Sequence, residues 1–225
     1  MSWFTETFSS SIGRKTIMSL TGLFLIIFLI GHLAGNLQLL VADGDNGLAF
    51  NAYAKFMTTN PAVKVLSYVT YISVLAHAIY ALTLTRKNKA ARPVKYAVSP
   101  KDTQSVWSSR QMGVLGTLIL IFLVMHLKGF WYEMHWGDIG TDSSGNRDLY
   151  TVVKAAYSQL WYVIIYVVSM LILAFHLAHG FNSAFQTLGL NHKKYTPTIK
   201  FLGKAFSIIV PLLFAIIPIV MFLNQ

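Results

Sequence analysis

The chain has 225 residues, of which 55% are apolar and only 12% are charged, so it lacks the charged side chains that cover a soluble protein. Its eighteen Lys and Arg outnumber its eight Asp and Glu, which raises the question of a nucleic-acid or membrane-surface partner. Cysteine is absent, which excludes disulfides, thiolate metal sites, iron–sulfur ligation and covalently attached c-type haem within this chain.

Uncharged apolar stretches occur five times along the chain, each about long enough to cross a bilayer once. Only helices and closed barrels satisfy the backbone inside a membrane. We therefore predict an all-α integral membrane protein, with residues 1–225 forming a single membrane domain. The five transmembrane helices are expected at approximately 16–41, 62–86, 110–133, 155–186 and 203–224.

The segments between these helices have their own patterns. Residues 1–15 are expected to lie along the interface, and the run LAFNAYAKFM at 48–57 predicts a short interfacial helix. Pro93 and Pro100 argue against a continuous helix through the basic loop that follows the second span. The Gly/Asp/Ser-rich loop at 136–148 is expected to be the most mobile part.

The charges divide between the two sides of the predicted bundle. Thirteen Lys and Arg fall at Arg14 and Lys15, in the 86–110 loop and in the 193–204 loop, whereas the other two loops hold six of the eight acids. By the positive-inside rule, the N-terminus lies in the cytoplasm and the C-terminus outside. This topology explains the net charge without a nucleic acid, and it favours anionic lipid headgroups or a docked soluble protein as partners.

Histidines within the predicted spans carry the functional argument, because ionisable groups at membrane depth are costly and usually functional. At 1.5 Å per residue, His32 and His126 fall at an outer level, and His77 and His176 at an inner level about 5–12 Å away. Two imidazoles facing each other at one depth form an axial pair for a b-type haem. We therefore predict two such pairs, His32 with His126 and His77 with His176.

Two glycines repeat the same spacing. Gly22 precedes His32 by ten residues, and Gly116 precedes His126 by ten. Both are expected near the inner level, where a missing side chain lets a helix approach a flat macrocycle closely. Ordinary packing of small residues between helices is the alternative.

Other assignments for the histidines are weaker. A zinc or copper site would need three or four converging ligands with carboxylate or thiolate help, and the span interiors contain no Asp or Glu. His179 is expected to be a hydrogen-bond partner, either one that supports a ligating histidine or one that joins two helices, and not a ligand itself. His135 and His192 lie in or beside loops and are expected to have no special role.

The sequence around these histidines resembles the dihaem cytochrome b subunits of succinate dehydrogenases and menaquinone-linked fumarate reductases. The resemblance covers the first four predicted helices in order. The similar runs are SLTGLFLIIFLIGHLAGN around His32, AFNAYAKFM after it, VLAHAIYAL around His77, LIFLVMHL around His126 and AFHLAHGFNSAF around His176.

The resemblance implies cofactors and their contacts. One histidine on each of the first four helices would ligate one of two b haems, so these helices would form the haem-binding bundle, with the four ligands His32, His77, His126 and His176. Ser19, Trp107 and Arg110 match family positions near the inner haem propionates, with interfacial anchoring as the alternative for all three.

The resemblance also implies partners. The family sits in the bacterial cytoplasmic membrane and docks on an iron–sulfur subunit and, through it, on a flavoprotein that carries FAD. Its quinone is generally menaquinone, with a site near the outer haem, where Asn36, Gln38 and Asn51 are candidate polar contacts from depth alone. Some fumarate reductase relatives carry a buried Glu where this chain has Ala174, which favours succinate oxidation here.

The expected function is therefore the quinone-reactive membrane subunit of a succinate:quinone oxidoreductase, not catalytic toward succinate on its own. Two other classes stay open. A haem reductase similar to the b561-type cytochromes would need no flavoprotein, so co-purification distinguishes it. A transporter that uses histidines as proton relays would contain no haem, so an absorbance spectrum distinguishes it.

Overall fold

The computed structural model describes residues 6, 10–91 and 107–225. Five of its helices are long and apolar enough to cross a membrane. These spans are Ser11–Leu40, Pro61–Ala90, Met112–Trp136, Leu160–Thr187 and Thr196–Leu223. The prediction of an all-α membrane protein with five transmembrane helices is confirmed.

The helices are numbered here in chain order. They are α1 Ser11–Asn36, α2 Leu48–Thr59, α3 Pro61–Ala90, α4 Trp107–Arg110, α5 Met112–His126, α6 Glu133–Trp136, α7 Leu149–Tyr157, α8 Leu160–Thr187 and α9 Thr196–Leu223. A π-helical segment, Leu127–Tyr132, joins α5 to α6, so that all three form one span. Helix α2 matches the short helix predicted at 48–57.

Three helix starts differ from the predicted bounds for local reasons. Helix α1 begins at Ser11, not 16, because the Ser10 side chain caps it by accepting a hydrogen bond from the Gly13 N–H. Helix α8 begins at Leu160, not 155, because the residues before it belong to the separate helix α7. Helix α9 begins at Thr196, not 203, with a proline in its first turn.

Four of the spans form a ring. Helix α3 packs between α1 and α5, and α8 closes the ring by packing against both α5 and α1. Helix α1 is therefore diagonally opposite α5, and α3 is diagonally opposite α8. Helix α9 packs outside the ring against α8 and α1. The four-helix bundle is present as expected, and its binding of haem remains a prediction.

The two ends of the bundle differ in charge and packing. The acidic end consists of residues 37–60 and 133–159, and the basic end of residues 86–91, 107–110 and 188–204. The main cluster of buried apolar side chains lies toward the acidic end, including Leu39, Phe50 and Tyr150. The most apolar windows of the first three spans are only 11% buried, against 33% for the last, so the first three spans leave most of their apolar side chains exposed to the surroundings.

The loop at 136–148 is more extensively bonded than its composition suggested. The Arg147 guanidinium donates to the backbone carbonyls of Glu133 and Gly137. The Asp142 carboxylate accepts from the backbone N–H groups of Ser144 and Asn146. These bonds fold the loop onto itself at the acidic end, and the geometry gives the expected mobility no support.

Two other predicted segments fall largely outside the described residues. Pro93 and Pro100, with the rest of residues 92–106 of the basic loop, lie outside them. So do residues 1–5 and 7–9 of the expected interfacial lead-in.

Candidate functional site

The acidic-end pair consists of His32, near the end of α1, and His126, the last residue of α5. Their ring centroids are 5.6 Å apart and their planes are nearly perpendicular, at 86°. The two helices are diagonally opposed, so the rings meet across the interior of the bundle. Both residues are half-buried.

Aromatic rings surround this pair. His32 stacks on Phe28 at 5.3 Å and lies 5.6 Å from Phe214, as measured between centroids. His126 lies 5.8 Å from Phe122, 5.6 Å from Phe130 and 6.0 Å from Tyr166. Such a shell excludes water and lowers the local dielectric, which is how a protein tunes a bound redox group.

The basic-end pair consists of His77 and His176, in the middle of the other two diagonally opposed helices, with ring centroids 6.2 Å apart. The Nδ1 atom of His77 lies 3.2 Å from the Met18 carbonyl oxygen and 3.3 Å from the Thr21 hydroxyl. Because a carbonyl can only accept, we assign the His77 proton to Nδ1, which leaves the Nε2 lone pair free for a metal. The Nδ1 of His176 is buried and has no hydrogen-bond partner among the residues that the structure describes.

Glycine positions establish that the pairs lie at different levels. A Cβ atom added at Gly22 would lie 3.2 Å from the His77 ring, so Gly22 and His77 share a level. Gly22 precedes His32 by ten residues of continuous helix, or about 15 Å. This separation is somewhat wider than the expected one. A Cβ added at Gly116 would meet no atom within 4 Å, so space is open there.

The residues present fit two bis-histidine haem sites. A metal ion held at about 2 Å by one nitrogen of each ring separates the ring centres by roughly 6 Å, close to both observed distances. The hydrogen bond at His77 Nδ1 is the kind of support that metal-ligating histidines usually receive. At His32 the contact is of the opposite kind, because the Asn36 amide nitrogen, 3.4 Å from Nδ1, can only donate and so favours the tautomer with its proton on Nε2. It gives His32 no support of the kind seen at His77.

No group of three or more His, Asp or Glu side chains converges among the described residues. A zinc or copper site, weighed from the sequence, would require such a group. The His179 Nε2 lies 3.1 Å from the hydroxyl of Ser183, one turn later in its own helix. This bond is not interhelical, and a role for His179 in supporting a ligating histidine stays a prediction.

The three residues expected at the haem propionates lie toward the basic end. Ser19 is buried, and its hydroxyl donates to the Lys15 carbonyl. It directly follows Met18, whose carbonyl contacts His77. The Trp107 ring packs edge-on against Phe175, the neighbour of His176. Arg110 is the exposed last residue of the same short helix as Trp107.

The three candidate quinone contacts differ in availability. Asn51 is fully enclosed, and its amide donates to the Asp148 carboxylate and accepts from the Tyr150 N–H. That pairing gives Asn51 a structural role and leaves no free group for a quinone. Asn36 and Gln38 are half-buried, and the Asn36 amide nitrogen, which lies beside the His32 ring, donates to the His32 backbone carbonyl at 2.7 Å.

Sequence reasoning missed two groups of residues at the acidic end. Asp43 accepts hydrogen bonds from the Lys154 ammonium, at 2.7 Å, and from the Tyr150 hydroxyl. These bonds, the one from Lys154 first, lower the pKa of Asp43 below its ordinary value. More than 100 residues separate Asp43 from its partners, so no local pattern could reveal the contact. The second group is the Tyr162–Tyr166 pair, whose i,i+4 spacing was the available signal.

Comparison of the chain with protein-family models, with curated proteins and with solved structures finds no match. The structure alone therefore defines the class: a five-span, all-helical membrane protein in which two pairs of histidines meet across the interior of a four-helix ring.

Proposed function

We propose that this chain is the membrane anchor and electron-transfer subunit of a succinate:quinone oxidoreductase, with menaquinone as its quinone. The single observation that carries the proposal is the meeting of two diagonal histidine pairs at two levels of the helical ring. His32 with His126, and His77 with His176, would each hold one b haem. Bound haems of this kind supply one-electron transfer, which a chain without cysteine needs in order to react with quinone.

The protein's own residues have definable tasks in this proposal. The imidazoles hold both groups non-covalently, and the aromatic shell around the acidic-end pair excludes water. Asn36 and Gln38, beside that pair, would orient the quinone ring. Ser19, Trp107 and Arg110 would contact the polar edge of the group at the basic end.

The basic end is the proposed docking surface for the iron–sulfur subunit, which in turn binds the flavoprotein. The exposed ammonium groups at this end belong to Lys87, Lys89, Lys193, Lys194, Lys200 and Lys204. A surface of one sign attracts an acidic protein face or anionic headgroups. The same charge bias supports a bacterial cytoplasmic membrane location with the basic end and the N-terminus in the cytoplasm. Ala174, where some relatives have a buried Glu, favours succinate oxidation over fumarate reduction.

Purification of the native complex in mild detergent tests the proposal, with pyridine haemochrome quantification and identification of the bound subunits. We expect two b haems per chain, together with an iron–sulfur and a flavoprotein subunit. Haem without soluble subunits would indicate a separate transmembrane reductase, and a colourless protein would indicate a histidine-containing transporter.

The histidine variants supply the functional control. His32→Ala or His126→Ala should lower succinate:quinone reductase activity at least tenfold while leaving dye-linked succinate oxidation by the soluble subunits intact. Unchanged quinone reduction in both variants would contradict the proposal.

A further inference from the structure

A buried tyrosine contacts the acidic-end pair from the neighbouring helix. The Tyr166 hydroxyl oxygen lies 3.2 Å from His126 Nδ1, and the Tyr166 side chain is only 5% exposed. Its hydroxyl is also 3.5 Å from that of Tyr162, one helical turn earlier, and the two phenol rings stack. The result is a short polar chain from His126 to the half-buried Tyr162 inside an otherwise aromatic cluster.

The backbone beside the hydroxyl groups of Tyr162 and Tyr166 has an unusual local conformation. The π-helical segment Leu127–Tyr132 begins directly after His126, and Gly129 lies within it. A Cβ atom at Gly129 would collide with the Tyr162 hydroxyl, so a larger residue there would force that hydroxyl to move. Wide π-helical turns occur frequently at functional sites. The glycine in this turn thus gives room to the Tyr162 hydroxyl, which contacts that of Tyr166.

Of the other rings packed against His126, those of Phe122 and Phe130 have no hydrogen-bonding atoms, and the His32 ring faces it across the bundle. Tyr166 is thus the hydroxyl placed to accept a hydrogen bond from the Nδ1–H of His126. An acceptor at Nδ1 fixes the imidazole tautomer, orients the ring and leaves the Nε2 lone pair for a metal.

We propose that Tyr166 is a positioning residue for His126, with Tyr162 as its support, and that the hydroxyl of Tyr166 holds His126 with Nε2 directed at the bound group. The proposal rests on the function proposed above. It assigns to the acidic-end pair a support that differs in kind from the backbone carbonyl that contacts His77.

The test compares Tyr166→Phe with Tyr157→Phe, a buried tyrosine in the same cluster that lies against Tyr166. In redox titrations followed by absorbance, Tyr166→Phe should raise the midpoint potential of the acidic-end haem alone, because a histidine without its acceptor donates less charge to oxidised iron. Tyr157→Phe should leave both potentials at their wild-type values. Equal potentials in Tyr166→Phe and wild type would overturn the proposal.

A second measurement does not depend on haem activity. In ¹⁵N-histidine NMR of reduced protein, Tyr166→Phe should shift the Nδ1 resonance of His126, assigned by its loss in His126→Ala, and Tyr157→Phe should not. An unshifted His126 resonance would overturn the proposal whether or not haem is present. A haem-free wild type would instead contradict the proposed function, so the two failures are distinguishable.

Discussion

The two histidine pairs contain the same side chains but are supported in different ways. His126 is held by aromatic rings and a tyrosine hydroxyl at the end of the bundle where the buried core is concentrated. His77 is held by the Met18 carbonyl of α1, beside a glycine. The acidic-end pair should therefore respond to side-chain changes in its shell, whereas the basic-end pair should respond to changes in the approach of α1.

The largest expected effect comes from removing one ligand of each pair. His126→Ala should remove only the acidic-end haem and His176→Ala only the basic-end haem, because one histidine cannot supply both axial ligands of a six-coordinate iron. Pyridine haemochrome assays should show the haem content per chain falling by about half in each variant. His135→Ala, in an exposed position at the acidic end, is the matched control and should retain full haem. Loss of both haems from either single variant would contradict the claim that the two histidine pairs bind haem independently.

A change at Gly22 should disturb the basic-end pair selectively. Gly22→Leu would push a side chain into the His77 ring. Even a Cβ atom at this position would lie only 3.2 Å from that ring, which is closer than an ordinary van der Waals contact. We expect loss of most of the haem at that pair, seen as loss of one of two components in the reduced spectrum. Gly31→Leu is the control, because a Cβ there meets no atom within 4 Å. Equal losses in the two variants would mean that close approach at Gly22 is unimportant.

Asn51 tests whether buried hydrogen bonds at the acidic end stabilise the fold. Asn51→Ala would leave the buried N–H of Tyr150 without a partner and remove one of the hydrogen bonds that the Asp148 carboxylate accepts, at a cost of about 1–3 kcal/mol in the free energy of unfolding. For a chain of this size, the melting temperature should fall by roughly 2–4 °C for each kcal/mol. Exposed Ser144→Ala should melt like wild type. A wild-type melting temperature for Asn51→Ala would argue that the amide does not hold the acidic end together.

The smallest effect concerns pH and Asp43. Its pKa is lower in the folded chain than the ordinary 3.8, so its bonds to Lys154 and Tyr150 stabilise the fold above that pH and are lost as the pH falls below it. The effect should be small because both partners of the ion pair are largely exposed. Between pH 6 and pH 3, the melting temperature of Asp43→Asn should decrease slightly less than that of wild type. An identical decrease in both proteins would contradict a stabilising role for the Asp43 carboxylate.

The sequence was sufficient for the features that depend on distance along one helix. Apolar length predicts five spans, and a rise per residue places His32 and His126 at one level and His77 and His176 at another. The sequence did not predict the diagonal arrangement of the helices or the separate helix α7. It also did not predict the contacts of Asn51 and Tyr166. Each depends on contacts between segments far apart in the chain, such as Asn51 with Asp148, and on side-chain orientation that apolar periodicity does not specify.

The central claim is that two imidazole pairs each clamp a b haem inside one ring of four helices. The most direct measurement is the haem-to-protein ratio of the purified wild-type chain, combined with its reduced-minus-oxidised spectrum. The account predicts two low-spin b haems per chain, bound without covalent attachment. A protein with no absorbance beyond that of its aromatic residues would contradict it.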